Sequence, residues 1–206
     1  MTATGSRKIA AKPRLAAAER RADLLDCACR VFSDGSYRGT TTAEIARSAG
    51  VTEPILYRHF ASKRDLYISC LAEAWIRVRG IWEQALAEEA DPAEWLLAMS
   101  RAFRESEERV MIHSLWVQAI AEASEDPAIR AYMQGHMREV HAFVADVISR
   151  SQAAGGILPD RNPAAEAWIF LAVGFLTAVS TWLGGLVECD LPEIAASRRR
   201  WHTGRS

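Results

Sequence analysis

Between positions 41 and 63 the chain gathers side chains that donate hydrogen bonds: Thr42, Thr52, Tyr57, His59 and Lys63. Hydroxyls, a phenol, an imidazole and an ammonium suit the oxygens of a phosphate backbone, since each offers a donor without a metal or base. Lys63 follows Ser62, and Ser62-Lys63-Arg64-Asp65 has the pattern of a helix start. Its ammonium and the free N–H groups of that first turn can share one phosphate. Arg47 and Arg58 add positive field. Thr52, Glu53, Pro54 and Ile55 lie where base edges would be read. Glu53 suits a cytosine amino group, and Pro54 and Ile55 a thymine methyl. Glu53 has an equal second reading, as an acid stabilising the positive end of its helix.

These residues need short helices to hold them. Thr41-Thr42-Ala43-Glu44 fits a capping box, with Thr41 as the cap and Glu44 at the third position. That predicts a helix over 41–48, stopped by Gly50. Thr52 caps the next helix, with Pro54 tolerated in its first turn. Ile45 and Ala46 supply the packing face and Val51 locks the turn, which together read as a helix-turn-helix. Such a unit lays its second helix in the major groove of DNA. A preceding helix, 16–33, carries Leu24, Leu25, Ala28, Val31 and Phe32 on one face and ends at Asp34-Gly35-Ser36.

At this point the sequence resembles a known family. Val51-Thr52-Glu53-Pro54-Ile55-Leu56-Tyr57-Arg58-His59-Phe60, with Ser62-Lys63-Arg64-Asp65-Leu66-Tyr67 after it and Phe32 to Thr41 before it, looks like the DNA-binding domain of tetracycline-repressor-type (TetR-family) regulators. The resemblance covers about 17–72. It implies that Thr42, Thr52, Tyr57, His59 and Lys63 are the contacts that position the protein on DNA. It also implies a homodimer, and a rear helical domain with a ligand cavity.

The rest of the chain supports that division. Residues 1–64 hold 12 Lys and Arg against 6 Asp and Glu, whereas 65–206 hold 13 against 20. A basic head on an acidic body points to a polyanionic partner for the head. The expected fold class is all-α, with about nine helices. A basic arm occupies 1–14, a three-helix DNA-binding domain 15–61, and a ligand-binding and dimerisation domain 62–206. Arg7, Lys8, Lys12 and Arg14 of the arm either enter a minor groove or merely solubilise the terminus. The arm lacks the apolar stretch of a secretory signal. Rear helices are predicted from Ser62 to about 89, 91–109, 110–123, 125–155, 164–187 and 191–202.

Residues 167–187 carry no charge, enough to span a bilayer. Three glycines, three hydroxyl side chains and the bracketing Glu166 and Glu188 favour a helix buried among others. Gly174, Ala178, Trp182 and Gly185 are the candidate dimer seam, where small residues allow two helices to approach in a four-helix bundle. Trp75, Trp82, Met99, Phe103, Met111, Trp116, Met133, Met137, Phe143 and Trp168 either pack a core or line a ligand cavity. His113, His136, His141 and Gln118 are candidate polar handles there, for an apolar or amphipathic ligand.

Cys27, Cys29, Cys70 and Cys189 show neither a Cys-x-x-Cys pair nor a neighbouring histidine, so neither a zinc site nor a disulfide framework is expected. No metal or cofactor is expected. No nucleophile motif or phosphate loop argues for an enzyme, and Glu105, Glu107 and Glu108 read as a solvated helix face. The reading is a cytoplasmic, ligand-responsive repressor on a double-stranded, inverted-repeat operator. Two alternatives stand beside it: a helical protein anchored in a membrane by 167–187, and a DNA-binding protein without a small-molecule ligand.

Overall fold

The computed structural model describes residues 17–204; the arm expected over 1–14 lies outside them. Among the described residues nine helices run in the order α1 (Ala17–Asp34), α2 (Thr42–Ser48), α3 (Glu53–Tyr57), α4 (Lys63–Glu88), α5 (Trp95–Glu105), α6 (Arg109–Glu122), α7 (Pro127–Ala153), α8 (Pro163–Trp182) and α9 (Leu191–Thr203). No strand occurs among the described residues.

The head forms as its caps direct. Thr41 Oγ1 accepts from Glu44 N at 3.2 Å, while the Glu44 carboxylate accepts from Thr41 N at 2.8 Å. Gly50, at φ 67°, makes the left-handed step that lets Val51 N reach Ala46 O at 2.9 Å. Thr52 opens α3 with extended backbone but makes no side-chain capping bond. Ser62 caps α4 by accepting from Asp65 N at 3.0 Å. The Asp65 carboxylate reaches back to Ala61 N rather than Ser62 N, so the box closes one residue wide.

Leu24, Ala28, Phe32, Ile45, Leu56 and Phe60 close the core of the head. Tyr67 is fully buried between head and body, stacked edge-on to Phe32 at 5.0 Å, and donates its hydroxyl to Leu115 O at 2.9 Å. One continuous apolar core therefore runs from Leu24 on α1 to Leu171 on α8.

Two helix boundaries depart from expectation. The segment predicted over 91–109 is helical only from Trp95 to Glu105. Asp91 spends its carboxylate on Ala93 N in a turn before it, and Ser106 adopts extended backbone after it. The charge-free run is not one helix to 187. α8 ends at Trp182, and Gly184 and Gly185 take left-handed φ values of 74° and 89°. Ser180 seals that end, its hydroxyl accepting from Val187 N at 3.0 Å.

Candidate nucleic-acid interface and internal cavity

The helix-turn-helix puts the proposed reading residues on one surface of α3 and the flanking helix starts. Thr52, Pro54 and Tyr57 are exposed, and Thr42, Glu53, Ile55, His59 and Lys63 are half-buried. Arg47 and Arg58 flank them in solvent. Thr42 Oγ1 donates to Glu53 Oε1 at 2.6 Å and lies 3.1 Å from the Tyr57 hydroxyl. The acid of Glu53 is therefore engaged within the protein, and Thr42 ties the start of α2 to both ends of α3. Lys63 folds back over the Tyr37 ring at 4.8 Å, with Nζ 3.4 Å from Arg38 O. Partial burial there lowers its pKa from the ordinary lysine value.

A second set of bonds joins this head to α6. Gln118, read from sequence as a ligand handle, faces the other way. Its Nε2 donates to Phe32 O at 3.1 Å and Gly35 O at 3.3 Å, and its Oε1 accepts from Tyr37 N at 2.9 Å. One turn earlier, Ser114 donates to Ser33 O at 2.7 Å. One turn later, Glu122 binds Arg38 at 3.0 Å, with Glu125 also paired to Arg38. Positions 114, 118 and 122 share a face by the i, i+4 rule. Sequence spacing shows that stripe only once its partner loop, 33–38, is known.

The opposite side of α6 borders a cavity. Its inner chamber, about 80 Å³, is walled by α4 (Ala74, Trp75, Val78, Trp82), α6 (Ile112, His113, Trp116), α7 (His136, Val140), α8 (Phe170, Leu171, Gly174, Phe175, Ala178) and Phe103. None of these residues carries a formal charge at neutral pH. An adjoining outer chamber of about 140 Å³ shares Trp82, Phe103, Phe170 and Gly174. It lies between α5, α8 and α9, is about as open to solvent as the first, and adds Arg104, Glu166, Arg198, Arg199 and His202.

Of the expected ligand-site residues, Trp75, Trp82, Phe103 and Trp116 line these chambers, with His113 and His136 as polar members. Met99 and Met133 are instead buried in the core, and Met111, Met137 and Phe143 pack against it. Phe143 stacks on Trp82 at 5.9 Å and so backs the wall. Trp168 points outward, 47% exposed, against His141 at 4.3 Å. Of the expected seam residues, Ala178 is corrected, being 1% exposed within a single protomer, whereas Gly174 is exposed on α8 while also bordering both chambers. Ala178 thus turns inward, onto the wall of the inner chamber. Trp182 is 55% exposed, and Gly185 sits in the turn behind it. Sequence reasoning missed Glu166, Arg198, Arg199 and His202 as walls. The only signal was an acid at the edge of an apolar run, and its partners lie more than thirty residues away.

His113 and His136 are buried. Burial, aided at His113 by the charge of Arg109, brings both pKa values down to about 4, so both rings are neutral at pH 7. An unfolded histidine titrates near ~6.5. Between those values the unfolded chain binds protons that the folded chain does not, so stability falls as pH falls through that window. Thermal unfolding at pH 7, 6 and 5 will show Tm dropping stepwise, and His113→Phe will flatten the drop. An unchanged slope in that variant would remove His113 from the account.

Of all described helices, α8 alone is long and apolar enough to cross a membrane. Besides Trp168 and Trp182 it exposes Ile169, Phe175 and Leu176, and the segment after it adds Leu183 and Leu186.

Residues 24–70 match the family model for bacterial regulatory proteins of the tetR family, and 92–174 match that for the C-terminal domain of BetI-type transcriptional repressors. The chain is 40% identical over 90 residues to the HTH-type transcriptional activator FasR of Mycolicibacterium smegmatis, covering 44% of this chain and 41% of that relative. Less than half of FasR is therefore spanned. Against the HTH-type transcriptional repressor KstR2 of the same organism, identity is 28% over 143 residues, 69% of this chain and 70% of the relative. Among solved structures, Salmonella enterica GusR superposes with a TM-score of 0.76 at 19% identity, covering 94% of this chain and 98% of that one. That likeness is one of fold.

Proposed function

The chain belongs to the TetR family of bacterial transcriptional regulators, and from that premise we propose that it is a cytoplasmic homodimeric repressor that leaves an inverted-repeat operator when a small apolar or amphipathic molecule fills its cavity. The head over 15–61 places α3 in the major groove. Thr42, Thr52, Tyr57, His59 and Lys63 bind the phosphate backbone, and Glu53, Pro54 and Ile55 face the base edges. Glu53 also holds Thr42, whose hydroxyl in turn meets that of Tyr57. Two heads on one two-fold axis double the site read, which one short helix could not specify alone.

The exposed apolar strip of α8 and the turn behind it, together with Trp201 of α9, pairs with the same strip of a second copy. Trp182 belongs to that seam. A second copy suits this strip better than a lipid bilayer, because the inner face of the same helix carries Glu166 and the cavity walls.

The observation that carries the regulatory reading is that one helix serves both sites. α4 begins at Lys63, beside the reading surface, and places Ala74, Trp75, Val78 and Trp82 on the inner chamber. Nineteen residues separate Lys63 from Trp82, roughly 28 Å at the rise of an α-helix. A ligand that moves the chamber wall tilts this rod, and the spacing of the two heads changes. To release DNA, the ligand must favour the wrongly spaced state. A preference of ~100-fold corresponds to a coupling of about 2.7 kcal/mol.

Selection from random duplex DNA, followed by footprinting at two salt concentrations, tests this. An inverted repeat will emerge. Lys63→Ala will bind it about ten-fold more weakly with no change in preferred sequence, and its log–log salt slope will fall by about 1. Salt-sensitive binding without an enriched repeat would remove the dimeric reader. An operator whose affinity no cellular small molecule alters would favour a regulator acting without a ligand.

A further inference from the structure

Three arginines and one glutamate line the outer chamber: Arg104 of α5, Arg198 and Arg199 of α9, and Glu166 of α8. Two of these cations are already matched. Arg198 pairs with Glu166 in the same wall, and Arg199 pairs with Glu94. Arg104 makes neither a hydrogen bond nor an ion pair among the described residues. It is half-buried, in a wall that is mostly apolar and includes Leu96, Leu97, Ile169, Val173 and Ile194. A guanidinium carries five N–H donors, and one held there loses part of its water without gaining a partner.

The rest of that wall offers no second charge to match it. Ser100 gives its hydroxyl proton to Leu96 O at 2.9 Å, and Thr177 gives its own to Gly174 O at 2.7 Å. The Glu166 carboxylate already accepts from Arg198, from Trp201 Nε1 and from His202 Nε2. Burial, with the cations Arg198 and Arg161 acting in the same direction, brings the His202 pKa down to about 4, so that ring adds no charge at neutral pH. The surplus of the outer chamber is therefore one positive charge, on Arg104. The inner chamber, which adjoins it through Trp82, Phe103, Phe170 and Gly174, has no formally charged wall at all. One end of the cavity is uncharged and aromatic, and the other holds an unmatched cation.

We propose that the effector is an amphipathic monocarboxylate, whose carboxylate pairs with Arg104 in the outer chamber while its hydrocarbon fills the aromatic inner chamber. The planar fork of a guanidinium matches a carboxylate with two parallel N–H bonds. One negative charge cancels the surplus, whereas a phosphate monoester brings roughly 1.5 to 2 and leaves part of its charge unmatched. An ammonium meets Arg104 as a like charge and finds Glu166 engaged. The carboxylate cannot sit at the other end, since no wall of the inner chamber carries a compensating charge. Arg104 thus sets both the class of effector and the direction in which it lies.

This assignment rests on the reading of the cavity as the effector site, and one experiment separates the two. 4-Phenylbutyrate, 4-phenylbutan-1-ol and 4-phenylbutylamine share a ten-carbon skeleton, and at neutral pH they carry an anion, no charge and a cation. Each is titrated against the full chain while the tryptophan fluorescence is followed. The carboxylate will bind about ten-fold more tightly than the alcohol, the lower end for bonds to a charged group because Arg104 is only half-buried. The amine will bind most weakly. Added salt will weaken the carboxylate and leave the alcohol unmoved. Arg104→Met will bring the ratio of carboxylate to alcohol affinity close to unity, and a general change in the shape of the chamber cancels in that ratio. Arg104→Lys will keep part of the preference, as a point charge without the fork. Equal affinities in the parent chain, tighter binding of the amine, or an undiminished preference in Arg104→Met would overturn the carboxylate assignment while leaving an effector cavity. Failure of all three probes to perturb the tryptophans at saturation would overturn the cavity reading, and this assignment with it.

Discussion

Glu166→Ala will destabilise the protein by on the order of 2–4 kcal/mol and release α9 from α8, as read by denaturant unfolding and sedimentation. Glu166 is 6% exposed, and its carboxylate accepts from Arg198, from Trp201 Nε1 at 2.8 Å and from His202 Nε2 at 3.0 Å. Burial and the cations Arg198 and Arg161 hold His202 neutral, with its pKa near 4, so that contact is a hydrogen bond rather than an ion pair. Removing the acid takes the shared acceptor from Trp201 and from the charged Arg198, which keeps only its contact with His202 Nε2 at 3.1 Å. The cost stays below that of a fully enclosed pair because the Arg198 side chain is 29% exposed and water recovers part of the loss.

The same acid also walls the outer chamber. Releasing α9 therefore opens that chamber and removes Trp201 from the surface assigned to the second copy. Glu166→Ala will sediment with a larger monomer fraction than the parent chain. Glu166→Gln, which keeps an acceptor for Trp201 but loses the charge, will fall between the two. Parental stability and assembly in Glu166→Ala would show that α9 is held by its apolar contacts alone.

Gln118→Leu will separate the head from the body without emptying either core. The residue is 8% exposed and meets Phe32 O, Gly35 O, Ser114 Oγ and Tyr37 N. Leucine fills similar space but satisfies none of them, a loss of about 2–4 kcal/mol for backbone groups left short of partners. Hydrogen exchange at the Tyr37 amide will accelerate strongly, because its acceptor is gone. Operator affinity will fall several-fold without effector, since the loop over 33–38 no longer holds the head at a set angle to α6. The further loss of affinity caused by a cavity ligand will shrink, since α6 carries the chamber residues Ile112, His113 and Trp116 on the same turns as, or one turn before, the bonds that grip the head. A variant with fast Tyr37 exchange but full ligand response would assign the coupling to α4 alone.

Elements whose geometry is set within a few residues were legible in the sequence. The capping box at Thr41, the turn at Gly50 and the start of α4 at Ser62 depend on bonds spanning at most five positions. Type and spacing therefore specify them, and they suffice to mark the helix-turn-helix and its surface residues. The caps at Asp126 and Asn162, each before a proline, set the starts of α7 and α8 in the same way.

Which side of a rear helix faced a cavity was decided only by tertiary structure. Trp75, Trp82, Trp116 and Trp168 are equally apolar in sequence, yet three wall a chamber and the fourth lies outside. A stripe on a helix shows that a face is covered, not what covers it. Ala178 reads as part of a seam between copies because small residues permit close approach; the fold uses its smallness to leave room inside one copy. Gln118 and Glu166 were decided in the same way. A buried polar side chain takes its meaning from the donors and acceptors that long-range packing brings to it, and theirs come from α1 and α9, in chain order far from either.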